Sequence, residues 1–319
     1  MSGLRTSAGA AVAEATLARL RCLDCHAGGL LSEARGERLR CAACGASFPV
    51  NGGVPSLLRG GADSQPWNPW DLDQVQKMGD SYYKRAKGEL PEKEASKSFA
   101  SFLARTGIYR PGASILDLGA ATGHFVRSFR RLLDDEVDYT GLDITARYLA
   151  WGAEIFGTGA RTAFVHADVL DMPFVDDAYD IVAVNLFHFF PRIDAALGEA
   201  MRVARKWVVW RQPIGPCNYA VKVIYDQDFD RVGVITPERE DFDFSLYMIY
   251  SRPYLEGLVR HLGGRIDRFE RDTDFAPFDN TALAEFDGIP ATKVVGDMQI
   301  NGALVLDWHY LAIACPGKE

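Results

Sequence analysis

Between residues 113 and 212 the chain alternates short apolar runs with segments of helical period, and no other feature restricts its fold as much. "ASILDLGA", "VDYTGLDI", "RTAFVHADV", "YDIVAVNLFHF" and "KWVVWRQP" read as strands. "GHFVRSFRRLL", "ARYLAWGAEIFG" and "RIDAALGEAMRVA" have the spacing of amphipathic helices. Strands joined through helices build a doubly wound, mostly parallel α/β sheet with helices on both faces. Ligands of such sheets lie beyond the carboxyl ends of the strands, where the strand order reverses. The last third is less regular: "SRPYLEGLVRHLGG" is a helix, and "RIDRFERDTD" and "GALVLDWHYLAIACP" are strands. Two long interruptions, near 214–248 and 274–300, read as lids or binding elements.

The chain begins differently. Four of its six cysteines form "CLDC" and "CAAC", a C-x2-C-x15-C-x2-C spacing over Cys22, Cys25, Cys41 and Cys44. Two such knuckles can close a tetrahedral zinc site with no open position, which makes the metal structural. The expected organisation is a tail or short helix over 1–20, a zinc ribbon over 21–58 and a linker with cap helices over 59–110. The catalytic domain then occupies 111–319. Glu14 and Arg19 interrupt the apolar part of the N-terminus, so it does not read as a signal peptide. No apolar run reaches the roughly 18 residues of a membrane span. The expected compartment is the reducing cytoplasm.

The turn after the first strand, "ILDLGAATGHF", narrows the ligand. Gly119 and Gly123 let the backbone pass close beneath a ligand and enter a helix whose free N–H groups favour polar groups. A P-loop would continue Gly-Lys-Ser/Thr, whereas Gly123 is followed by His124 and Phe125. A dinucleotide fingerprint has glycine at three places that here hold Gly119, Ala121 and His124.

The remaining option is S-adenosylmethionine (SAM). Over residues 110–212, and more loosely to 314, the chain resembles the class I SAM-dependent methyltransferases. "LDLGAATG" is similar to their first motif, with Ala121 in place of its middle glycine. The resemblance implies a seven-stranded sheet and a glycine turn under the amino-acid part of SAM, with Asp117 orienting turn amides or the ammonium. It further implies that Asp143 accepts both ribose hydroxyls and that Asp168 takes the adenine amino group, with Ile144 and Val169 beside them. One carboxylate has acceptors enough for a vicinal diol, although Asp143 also suits a helix N-cap and Asp171 competes with Asp168. "NLFHFF" falls where the family lines its methyl-transfer site. The family's "Lys-Pro-Gly-Gly" turn before the fifth strand is replaced by "RVARKWVVW". "FPVNGGVPSLL" resembles the end of the zinc ribbons that some of these enzymes carry.

Methyl transfer from a sulfonium needs alignment and exclusion of water, and a base only for a protonated acceptor. His188 is the histidine placed to act as that base by its unperturbed pKa; it equally suits packing. Asn185 can orient a polar acceptor group or the cofactor. Tyr82 and Tyr83 in "SYYKRA" are candidates for an aromatic cover over the sulfonium, or for interface packing. The net charge of −8 disfavours a nucleic-acid substrate. The first 60 residues, with seven Arg against four Asp/Glu, run the other way. The expected substrate is a small-molecule acceptor of specialised metabolism, with no membrane partner; a homodimer is compatible with the sequence. Three alternatives stand beside it: an rRNA guanine methyltransferase, a SAM-consuming cyclase releasing methylthioadenosine, and a SAM sensor without catalysis.

Overall fold

The computed structural model describes residues 12–33, 36–59, 72–190, 192–224, 228–236, 238–239, 244–273, 292–295, 298–301 and 304–315. The first eleven residues, most of the Gly/Pro/Trp linker and most of the expected 274–300 lid lie outside these. A short helix α1 (Glu14–Leu17) leads into four short strands, β1 (Leu30–Ser32), β2 (Arg38–Cys41), β3 (Ser47–Asn51) and β4 (Val54–Leu57). Helices α2 (Leu72–Lys87) and α3 (Glu94–Thr106) follow, close to the expected cap helices.

The alternating region then runs β5 (Ser114–Leu118), α4 (Phe125–Leu132), β6 (Asp138–Asp143), α5 (Ala146–Phe156), β7 (Thr162–Ala167), β8 (Tyr179–Val184), α6 (Ile193–Val203) and β9 (Ala204–Gly215). A 3₁₀ turn at Phe187–Phe189 follows β8. Beyond β9 come β10 (Tyr219–Ile224), α7 (Phe229–Val232), β11 (Phe244–Ser251), α8 (Arg252–His261) and β12 (Arg265–Arg271). The chain ends with β13 (Thr292–Val295), β14 (Met298–Asn301) and β15 (Leu304–Ala314).

The central strands lie in the order β7-β6-β5-β8-β9-β15, with β12 on the far side of β15. They are parallel from β7 to β9 and antiparallel at β15 and β12. These are the seven expected strands, and the order reverses at β5, which puts the crevice above β5, β6 and β8.

Alternate residues of each strand feed two cores, as strand periodicity requires. Leu116, Leu142, Val165, Val182 and Trp210 face α6 and α8. Ile115, Tyr139, Phe164, Ile181 and Val209 face α3, α4 and α5. All ten are essentially fully buried, each worth about 1.5–3 kcal/mol of transfer free energy for a typical large apolar side chain.

Two features depart from the sequence reading. The ribbon is not set apart, because β4 pairs in parallel with β7, so a boundary at residue 58 falls at the end of a strand of the main sheet. Its apolar residues Leu20, Leu39, Phe48 and Val50 belong to the same core cluster as the α6 face. The expected 214–248 lid is largely an antiparallel arm, β10 against β11, which returns to pair with the end of β9.

Candidate functional site

The turn after β5 is built by close approach. Gly119 has φ 72°, and a Cβ there would stand 2.7 Å from Leu186 Cδ2; Gly123 has φ 69°, with Phe164 at 2.8 Å. Both positions therefore exclude a side chain on two grounds. Ala121, between them, also has a positive φ of 48°, a conformation that costs a non-glycine residue about 1–2 kcal/mol. Its N–H donates to Asp143 Oδ2 at 2.8 Å, and Thr145 N–H donates to Oδ1 at 2.8 Å. Asp143 at the end of β6 thus ties its own loop to the turn. Burial raises its pKa, opposed by the Thr145 and Ala121 N–H groups. Each oxygen keeps a further lone pair, so the carboxylate can still accept from a diol.

The Ala121 amide is held by Asp143 rather than by Asp117, for which the turn amides or the cofactor's ammonium are the expected partners. The buried Asp117 carboxylate accepts from Tyr139 Oη at 2.8 Å and is pushed up to about 7 by burial, with Asp143 adding to the rise. Asp168, just past β7, accepts from Leu170 N–H at 2.9 Å, and Val169 is buried beside it. Asp171 is engaged elsewhere, bonded by Arg59 Nε at 2.5 Å on the ribbon side. Of the two acids, Asp168 is the one not taken up in that ion pair.

The tyrosine pair is split. Tyr82 stacks on His124 (centroids 4.9 Å apart, planes at 3°) and packs with Ala121 and Tyr148 over the turn. Tyr83 lies against Trp151 and donates to Glu154 at 3.2 Å, away from the turn. Lys93, unnoticed in the sequence, holds its Nζ 4.0 Å from the Tyr82 ring centre. Burial, with Arg85 nearby, pushes its pKa down to about 7.

At the end of β8, Asn185 Oδ1 accepts from Arg211 Nη1 at 3.4 Å, and Arg211 Nε donates to Asp272 at 2.6 Å. The Arg211 guanidinium also lies 4.1 Å from the Trp308 ring centre. His188 sits buried among Phe189, Tyr247 and Trp308. The ordinary pKa assumed for it is overturned: burial, aided by Arg211, pushes it down to about 3. It is a neutral imidazole near pH 7, and a weak base. His188 Nδ1 and Trp308 Nε1 are buried without a hydrogen-bond partner among the described residues. Nothing in the sequence links Arg211, Asp272 and Trp308, which are brought together by the pairing of β15 with β9 on one side and with β12 on the other.

The four ribbon cysteines converge, with sulfur atoms within 4.8 Å of one another. The Cys22–Cys44 and Cys25–Cys41 separations are both 3.6 Å. Tetrahedral zinc with Zn–S near 2.3 Å requires sulfurs about 3.8 Å apart, so the cluster fits that ion. Backbone N–H groups of Cys44 and Ala43 hold the Cys41 thiol down to about 6, while burial pushes the Cys22 thiol up to about 12, so Cys41 is the readier of the two to bind as a thiolate.

Residues 115–206 match the family model described as "Methyltransferase domain". The malonyl-[acyl-carrier protein] O-methyltransferase of Pectobacterium atrosepticum is 33% identical over 95 residues, 30% of this chain and 35% of that protein. The fatty-acid O-methyltransferase of Mycolicibacterium smegmatis is 28% identical over 168 residues, 51% of this chain and 54% of that protein. The chain thus spans about a third and about half of the lengths of these two relatives. Among solved structures, Burkholderia thailandensis 1,6-didemethyltoxoflavin-N1-methyltransferase aligns over 87% of this chain and 98% of its own, at 14% identity and a TM-score of 0.46. No helix of the described residues is long and apolar enough to cross a membrane. With the glycine turn and the strand order in agreement with the family match, the segment 115–206 is a methyltransferase domain.

Proposed function

We propose that the protein transfers the methyl group of SAM to a nucleophile on a small molecule, in specialised metabolism, and that its ribbon holds a structural zinc ion. The observation that carries the reading is the position of Asp143. Its carboxylate closes the loop after β6 onto a glycine turn into which no side chain fits, one strand away from Asp168. SAM supplies an already electrophilic methyl group, so the protein's task is to hold, align and desolvate.

In this reading Gly119, Ala121 and Gly123 shape the floor under the amino-acid part, and Asp117 stands beneath it. Asp143 accepts the ribose hydroxyls with Ile144 at its side, and Asp168 with Val169 takes the adenine edge. Tyr82 covers the turn from α2, while Tyr83 braces that helix on α5. Asn185, oriented by Arg211, faces the acceptor or the cofactor. His188 orients a hydroxyl-bearing acceptor rather than deprotonating it, because a base with pKa about 3 takes up little proton at neutral pH. The unbonded His188 Nδ1 and Trp308 Nε1 favour an acceptor with a small polar group, since such buried atoms each cost about 1–3 kcal/mol when unsatisfied. The two curated relatives are named for a malonyl-[acyl-carrier protein] and for a fatty acid, which favours a small or carrier-bound acceptor.

The test is mass analysis of zinc-loaded protein incubated with SAM, alone and with a panel of hydroxyl and amine acceptors. S-adenosylhomocysteine (SAH) formed only with an acceptor supports the proposal. Methylthioadenosine formed from SAM alone supports the cyclase instead, and methylation of ribosomal RNA supports the third reading.

A further inference from the structure

We infer that the ribbon sets the affinity for the adenosine part of SAM, through Ser56 on β4 and His166 on β7 as positioning residues for the loop carrying Asp143. The inference rests on the reading of that loop as the ribose side of a SAM pocket.

Ser56 lies level with His166 in the parallel pairing of β4 and β7. Ser56 Oγ is 2.8 Å from His166 Nδ1, and His166 Nε2 is 2.9 Å from the Ile144 carbonyl oxygen. A carbonyl only accepts, so Nε2 carries the hydrogen and donates. Burial lowers the pKa of His166 and keeps the ring neutral, so Nδ1 is bare and accepts from the Ser56 hydroxyl. The Ile144 carbonyl thus sets the tautomer, and the Ser56 hydroxyl, donating to Nδ1, holds the ring in the orientation that brings Nε2 to Ile144. Ile144 directly follows Asp143, whose two oxygens bind Ala121 and Thr145. The side chains of Asp143 and His166 thus hold this loop to the glycine turn and to β7, and the His166 ring is in turn bonded by Ser56 of the ribbon.

The histidine is 1% exposed, so it acts through the residues it touches. Remove the Ser56 hydroxyl, and a buried Nδ1 is left without its donor, and the ring loses the hydrogen bond that holds it in the orientation of the Ile144 bond. The ribbon holds β4 in register through β3 and through Arg59, which reaches both Asp171 and the Leu23 carbonyl at 2.5 Å.

The experiment is calorimetric titration of the zinc-loaded full chain with SAH and, separately, with methylthioadenosine. Ser56→Ala and His166→Leu should each weaken both ligands about five- to tenfold, the effect of one buried hydrogen bond. Zinc content should stay at one per chain. His166→Gln, which restores a donor toward Ile144, should recover most of the affinity. The double variant should be no weaker than His166→Leu alone, as for two members of one relay. Unchanged affinity in folded, zinc-loaded Ser56→Ala, or factors that multiply in the double variant, would overturn the inference. Should His166→Leu fail to fold, Ser56→Ala and His166→Gln decide the matter. If the wild-type chain binds no SAH, the SAM-pocket reading itself falls and takes this inference with it; if the wild type binds and the variants match it, only the inference falls.

Discussion

Ala121, in the left-handed region at φ 48°, donates its N–H to Asp143 Oδ2 at 2.8 Å, so the strained residue of the turn is held by the acid of the neighbouring strand. The family's middle glycine would adopt this φ without strain. The alanine keeps the shape because the carboxylate, the packing of Tyr82 and Tyr148 and the two flanking glycines leave no other path.

Ala121→Gly should therefore stabilise the chain by about 1 kcal/mol, the left-handed penalty less the extra freedom glycine gains when unfolded. Denaturant unfolding at neutral pH measures it. A loss of stability would mean that the alanine methyl contributes more by packing than the backbone loses.

Asp143→Asn should weaken SAH at least tenfold, because a charged acceptor is lost and an amide donor then faces the Ala121 or Thr145 N–H. Asp171→Asn, by contrast, should weaken SAH no more than about threefold, since it reaches the Asp143 loop only through Arg59 and β4. Titration of both variants checks the contrast.

Asp117 makes stability depend on pH in a direction opposite to most carboxylates. Its folded pKa of about 7 lies above the unfolded value near 3.9. The folded state therefore binds the extra proton between about pH 4 and pH 7, and the contribution of this residue falls as pH rises through that window. Relative to Asp117→Asn, the wild type should lose on the order of 2 kcal/mol between pH 5 and pH 8. Unfolding free energies of the two proteins at several pH values test this; parallel profiles would contradict it.

Asp272 neutralises Arg211 inside the protein, with side-chain exposures of 3% for Arg211 and 0% for Asp272. Asp272→Ala leaves a buried guanidinium without that counter-charge and should cost about 3–5 kcal/mol. Chemical denaturation reads the loss directly.

Zinc removal should lower the melting temperature of the whole chain in one transition, because ribbon and sheet share a core. Cys25→Ser should do the same and abolish zinc retention. Scanning calorimetry with metal analysis checks both; a separate low-temperature ribbon transition would contradict the shared core.

The strands and helices of the sheet were legible because each is a local pattern, and so were the paired cysteines and the acid ending β6. What escaped depends on contacts between distant segments. Ser56 and His166 are 110 positions apart and meet only because β4 joins the sheet. Asp168 and Asp171 look alike in one short acidic run, and the ion pairs of Asp171 with Arg59 and Arg21 are contacts between distant segments. Tyr82 and Tyr83 are neighbours on a helix, about 100° apart around its axis, so one faces the turn while the other faces α5. His188 looked like a base because exposure is not written in a sequence, and burial, aided by Arg211, moves its pKa.

The most direct measurement is calorimetric titration of zinc-loaded protein with SAH. The account predicts one site per chain with micromolar or tighter affinity, lost on Asp143→Ala. The absence of heat at millimolar ligand, or equal binding by that variant, would contradict it.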